Sequence, residues 1–181
     1  MFDRLILGIA NFSNNYLLGN KTIENYKNLL DDAHDLGFNQ IELAEGYLNI
    51  SPYLQNTKRK WNIQYKFRYS LESYDFYKEK YLVNLGQKIR EVVQNHQLGS
   101  IVFHDVNDLG DMTPGKYEIE LLKSTSTADQ IGLSLYPEQF SSRHLEWCQV
   151  IQLPLNILDR RIFHNGTYNL IAPKNVTLQV R

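Results

Sequence analysis

Short β-prone runs alternate with helical stretches along the whole chain, and no other feature restricts the available folds so strongly. Seven runs read as strands: LILGIAN (5–11), QIELAE (40–45), IQYKF (63–67), SIVFHD (100–105), QIGLSLY (130–136), VIQLPLN (150–156) and VTLQV (176–180). Between the first two, Ile23, Tyr26, Leu29, Leu30 and Ala33 recur at helical spacing, with Thr22 placed to cap the start and Gly37 the end. Residues 73–96 repeat the pattern with Leu82, Leu85, Ile89, Val92 and Val93 on one face. Residues 116–127 and 137–147 also read as helices, the second opening at Pro137. Strands separated by helices run parallel and are joined by right-handed crossovers, in an open doubly wound sheet or in a barrel.

The open sheet announces a nucleotide site by a glycine-rich first turn, and ANFSNNYLLGN after the first strand lacks GxGxxG. A barrel instead takes its chemistry from the C-terminal ends of several strands. Polar residues stand there repeatedly: Glu42, Lys66, His104, Ser134 and Gln152. A full barrel uses eight strands and about 250 residues. With 181 residues and seven candidate strands, the expected fold is an incomplete α/β barrel of the TIM type, residues 1–181 forming one domain.

The net charge of −1 and a pI near 6.5 argue against nucleic acid or an acidic membrane surface as partner, and leave a small molecule or another protein. Cys148 is the single cysteine, so an internal disulfide is excluded, and a reducing cytoplasm is the natural setting. It reads as a small buried hydrophobe. No CxxC or Cys/His cluster marks a metal site, and His34, His96, His144 and His164 lack ligand spacing. The start, MFDRLILGIANF, is neither a signal peptide nor a membrane span.

Taken singly, the polar strand-end residues have ordinary readings. Lys66 suits a solvent-facing edge strand, His104 a satisfied strand-end histidine, and Tyr47, one of 12 tyrosines, a packing residue with a wet hydroxyl. Taken together, a barrel gathers Glu42, Tyr47, Lys66 and His104 at one mouth, and that set suits carbonyl reduction. Hydride reaching a carbonyl carbon leaves charge on the oxygen, and an acid must supply a proton. A tyrosine with a lysine cation beside it is such an acid, because the cation stabilises the phenolate. A carboxylate holds the lysine, and the histidine can hydrogen-bond the substrate oxygen.

In chain order, LILGIANF, GFNQIELAEGY, IQYKF, LGSIVFHDVNDL, IGLSLYPEQF and VIQLPLNILDRR resemble the successive strand motifs of the aldo/keto reductase family. The resemblance runs from about residue 5 to the end of the chain. It implies a (β/α) barrel that binds NADPH at the strand C-termini and reduces an aldehyde or ketone. It further implies Tyr47 as proton donor, Lys66 as modulator of the tyrosine, His104 as the donor that orients substrate, and Ser134 and Gln152 as partners of the nicotinamide carboxamide. Glu42 stands where the family has aspartate, which adds one methylene and about 1.3 Å of reach. Leu43 replaces a threonine, Leu48 a glycine and Leu135 an asparagine. The family's eighth strand and phosphate-clamping loops are expected beyond Arg181, so the chain reads as a member truncated at its C-terminus. Unpaired barrel edges then offer a route to self-association. The alternative reading is a catalytically impaired barrel acting as a binding or interaction subunit; a lysine-dependent isomerase or lyase is a third.

Overall fold

The structure, a computed structural model, describes residues 4–9, 23–45, 51–68, 74–104 and 114–181, the side chains of 23–26, 51–53 and 74–78 excepted. Seven strands appear where seven were expected: β1 (Ile6–Gly8), β2 (Gln40–Ala44), β3 (Asn62–Phe67), β4 (Gln97–Phe103), β5 (Gln130–Ser134), β6 (Val150–Leu153) and β7 (Thr177–Val180). They form one sheet in sequence order, and every pairing is parallel. The helices α1 (Ile23–Asp35), α2 (Ser51–Asn56), α3 (Tyr74–Val93), α4 (Lys116–Ser126), α5 (Arg161–His164) and α6 (Thr167–Ile171) fill the connections.

Strand alternation sorts the side chains. Ile41 and Leu43 of β2, Tyr65 and Phe67 of β3, and Ile101 and Phe103 of β4 join the core that the helices cover. Among the intervening positions, which also include the buried Val102 and Val150, Glu42, Gln64, Lys66, Ser100, Ser134, Gln152 and Gln179 are polar and are linked to one another by side-chain hydrogen bonds. These bonds show that the sheet curls. In a flat sheet β2 and β6 would lie four strand spacings apart, about 19 Å, yet Gln152 Nε2 donates to Glu42 Oε2 at 2.7 Å. Gln179 Nε2 of β7 likewise reaches Gln64 Oε1 of β3 at 2.8 Å.

Closure is not reached among the described residues, since β1 pairs with β2 and β7 with β6 only. Between them lies a cleft of about 690 Å³ whose lining includes Ile6, Gly8, Glu42, Gln152, Gln179 and Arg181.

Several expected boundaries shift for identifiable reasons. β4 starts at Gln97, earlier than expected, because the register with β3 skips Gly99 between the pairs Ile63–Leu98 and Gln64–Ser100. A Cβ on Gly99 would meet the Asn62 amide, which would have to turn aside to admit it. β5 and β6 end before Pro137 and Pro154. The continuous helix expected over 137–147 is instead two 3-10 turns, Pro137–Gln139 and Ser142–Glu146. Ser141 breaks it by capping the second turn, its hydroxyl accepting from the Arg143 N–H.

In α1, Leu30 and Ala33 are buried as expected, whereas Leu29 is 46% exposed because it lies one helical step off the face that Leu30 defines. Gly37 adopts φ 101° past the end of α1, as its expected role requires; Thr22 lies outside the described residues. Leu82, Leu85, Ile89 and Val93 of α3 are buried together. The short helices α2, α5 and α6 were not expected.

Candidate active site

Glu42 sits mid-β2, beside Gln64 in the register, and Ala44 lies beside Lys66. Side-chain alternation therefore puts Glu42, Gln64 and Lys66 on one face, and the curl brings Gln152 of β6 onto the same group. Lys66 Nζ donates to Glu42 Oε1 at 2.8 Å and to Gln152 Oε1 at 2.7 Å. Ser134 Oγ donates to Gln152 Oε1 at 2.9 Å. Glu42 Oε2 accepts from Gln64 Nε2 and Gln152 Nε2, each at 2.7 Å.

The amide orientations are fixed by this pattern. Gln152 Oε1 faces two donors, so its Nε2 must face the carboxylate. Gln64 Oε1 likewise accepts from Ser100 Oγ at 3.0 Å and from Gln179 Nε2 at 2.8 Å, so its Nε2 also points at Glu42.

The reading of Lys66 as a solvent-facing edge residue does not hold: β3 lies between β2 and β4, and the lysine is 5% exposed. Its partner Glu42 is the more accessible of the two, with 24% of the side chain exposed. Burial by itself raises the Glu42 pKa. The Lys66 charge and the hydrogen bonds from Lys66, Gln152 and Gln64 outweigh burial and hold the carboxyl below its ordinary range. Tyr65, next to Lys66 in sequence, points the other way into the core. Burial, followed by the charges of Glu45 and Tyr81, pushes its phenol well above the ordinary range, so it is no proton donor near neutral pH.

His104 follows β4 directly and is half-buried, with its backbone N–H donating to the Phe67 carbonyl at 2.8 Å. It stands two residues beyond Val102, the register partner of Lys66, toward the strand C-termini. Tyr47 lies outside the described residues. Of the expected site, the structure thus joins Glu42, Lys66, Ser134 and Gln152 into one hydrogen-bonded cluster and sets His104 at the end of the neighbouring strand. Gln64, Ser100 and Gln179 were not foreseen, although the period of two along NIQYKF already puts Gln64 on the Lys66 face. Cys148 is buried as expected, and burial raises its thiol well above the ordinary range. Among the described residues no group of three or more His, Cys, Asp or Glu is placed to hold a metal, and no helix is long and apolar enough to cross a membrane.

Seven parallel strands in sequence order, curled around polar strand-end residues, define an incomplete (β/α) barrel. Solved aldo-keto reductases share this fold. The chain is similar to a protein assigned as an aldo-keto reductase from Pseudomonas aeruginosa, with TM-score 0.72, 18% identity, 96% of this chain and 71% of that one covered. It is similar to the holo form of an aldo-keto reductase from Bacillus halodurans, with TM-score 0.71, 17% identity and coverage of 98% and 61%. An aldose reductase from Giardia lamblia gives TM-score 0.62, 14% identity and coverage of 97% and 64%. No protein-family model matches the chain, and no curated protein matches it.

Proposed function

We propose that this barrel, taken as one domain over residues 1–181, reduces an aldehyde or ketone with NADPH in a cytoplasmic setting. The observation that carries the reading is the part-buried Lys66–Glu42 pair at 2.8 Å, anchored on adjacent strands of a barrel shared with aldo-keto reductases.

The donor set suits a nicotinamide. Gln152 lines the cleft and offers both an amide donor and an amide acceptor. An amide complements a carboxamide, and the Ser134 hydroxyl, which does not line the cleft, donates to Gln152 from behind it. Taking up that carboxamide requires an exchange with bonds that Gln152 now makes inside the network. The bound cofactor supplies a hydride to the carbonyl carbon. The remaining chemistry belongs to side chains of this chain. Tyr47 gives a proton to the oxygen as charge develops there. The Lys66 cation stabilises the resulting phenolate, Glu42 keeps the ammonium in place, and His104 donates a hydrogen bond that orients the carbonyl oxygen.

A second reading rests on Gln152 and Ser134. The Gln152 amide already engages Lys66, Ser134 and Glu42, and Ser134 is fully buried. A non-catalytic barrel using the same cluster as internal bracing, and serving as a binding or interaction subunit, accounts for that saturation.

Purified protein mixed with NADPH and an aldehyde panel separates the two readings. Carbonyl-dependent oxidation of NADPH, reduced by roughly 10² or more in Tyr47→Phe with NADPH affinity retained, supports the reductase. Turnover unaffected by Tyr47→Phe refutes the proposed proton donor, and NADPH oxidation by the wild-type protein rules out the binding-subunit reading.

A further inference from the structure

Glu42 is a long carboxylate in a position where the resembling family has a short one. Its side chain has an extra rotatable bond, and its carboxylate is held from more than one side. The structure supplies such a hold through a division of the two oxygens. Among the described residues, Oε1 accepts from Lys66, at 2.8 Å. Oε2 accepts two amide N–H groups, from Gln64 and Gln152, at 2.7 Å each.

Gln64 is the member of this pair that no part of the reductase chemistry uses. It is 4% exposed, and its amide makes three side-chain hydrogen bonds. The Nε2 donates to Glu42, and the Oε1 accepts from Ser100 on β4 and Gln179 on β7. The side chain therefore ties β3 to β2, β4 and β7 at once. Turning the amide over would set its oxygen against the Glu42 carboxylate and its NH2 against the Gln179 NH2, so Gln179 enforces the donating orientation, while the Ser100 hydroxyl, able to donate or accept, holds the amide oxygen in place.

We infer that Gln64 is a positioning residue, fixing the Glu42 carboxylate so that one oxygen remains for Lys66, with Ser100 and Gln179 locking the amide that does so. The purpose of this arrangement rests on the reductase reading; the arrangement itself does not. Among the described residues, the charged group bonded to Glu42 is Lys66 from β3, and Arg4 ahead of β1 and Arg181 after β7 line the same cleft. β4, β5 and β6 contribute the neutral Ser100, Ser134 and Gln152 to the network.

The test is the titration of the Glu42 side-chain carboxyl, followed by carbon-13 NMR in the wild type, Gln64→Met and Gln179→Leu. Losing one hydrogen bond to the ionised form moves the Gln64→Met midpoint up by about one pH unit. Gln179→Leu, which leaves the Gln64 amide present but loosely held, moves it up by less. A glutamine that braced the strands without holding the carboxylate would lower the melting temperature and leave the midpoint in place. An unmoved midpoint in folded Gln64→Met overturns the inference; if that variant does not fold, an unmoved midpoint in Gln179→Leu does so. Neither result depends on turnover, so a wild-type protein without reductase activity would refute the function and leave the positioning role standing.

Discussion

Glu42 on β2 and Gln152 on β6 meet through a 2.7 Å hydrogen bond although 110 positions separate them in the chain. The bond is available only because the sheet curls. It serves as a strut across the barrel interior and also belongs to the cluster that holds Lys66. Fold and candidate site are therefore coupled, and changes to the cluster will register in stability as well as in chemistry.

Lys66→Met removes the cation and leaves the Glu42 carboxylate with its amide donors alone. Breaking one side of a buried pair costs about 3 to 5 kcal/mol, and the accessible side of Glu42 places this pair toward the lower end. Urea unfolding at neutral pH should show the midpoint falling by that equivalent with the m-value unchanged. A loss within a few tenths of a kcal/mol would mean the pair is solvated.

Acid should loosen the barrel through Glu42. Its folded pKa lies below the ordinary carboxylate value, so the unfolded chain binds the proton more readily. The contribution to stability is complete above the unfolded value of about 4.3 and is lost as pH falls through the lowered folded value. Unfolding free energies between pH 6 and pH 3 should decline less steeply in Glu42→Gln than in the wild type. Parallel curves would show that this carboxylate is not perturbed.

Tyr65 carries a buried hydroxyl with no hydrogen-bond partner among the described residues. Removing an orphaned polar atom while keeping the ring relieves a desolvation cost of about 1 to 3 kcal/mol. Tyr65→Phe should therefore leave the melting temperature unchanged or raise it, against the usual trend for core substitutions. A clear drop would reveal a partner for the hydroxyl.

Much of this architecture was legible in the sequence because parallel strands buried by helices read as short apolar runs between helical periods. The match at β2, β3 and β7 follows from that. What was not legible depends on contacts that cross the barrel. Gln64 and Gln179 look like ordinary polar strand residues until the curl brings β3 and β7 within 2.8 Å of each other through their amides. Leu29 was assigned to the buried face of α1 by spacing alone, which does not resolve one helical step. Pro137, a good first residue, makes 137–147 read as one helix, and the Ser141 cap that starts a second turn is a hydrogen bond that apolar spacing does not display. Glu42 and Lys66 stand out in the sequence as charged residues in β-prone runs, although Glu42 sits mid-strand; their shared bonds to Gln152 required the register and curl of the whole sheet.

The proposed reductase activity requires that this barrel deliver hydride from a reduced nicotinamide to a carbonyl carbon. NADPH carrying deuterium at the transferable C4 position, incubated with the protein and an aldehyde, tests it by mass spectrometry of the alcohol. The account predicts one deuterium on the former carbonyl carbon, with label incorporation slowed by roughly 10² or more in Tyr47→Phe. An unlabelled alcohol, or no alcohol at any aldehyde tried while NADPH binds, would contradict it.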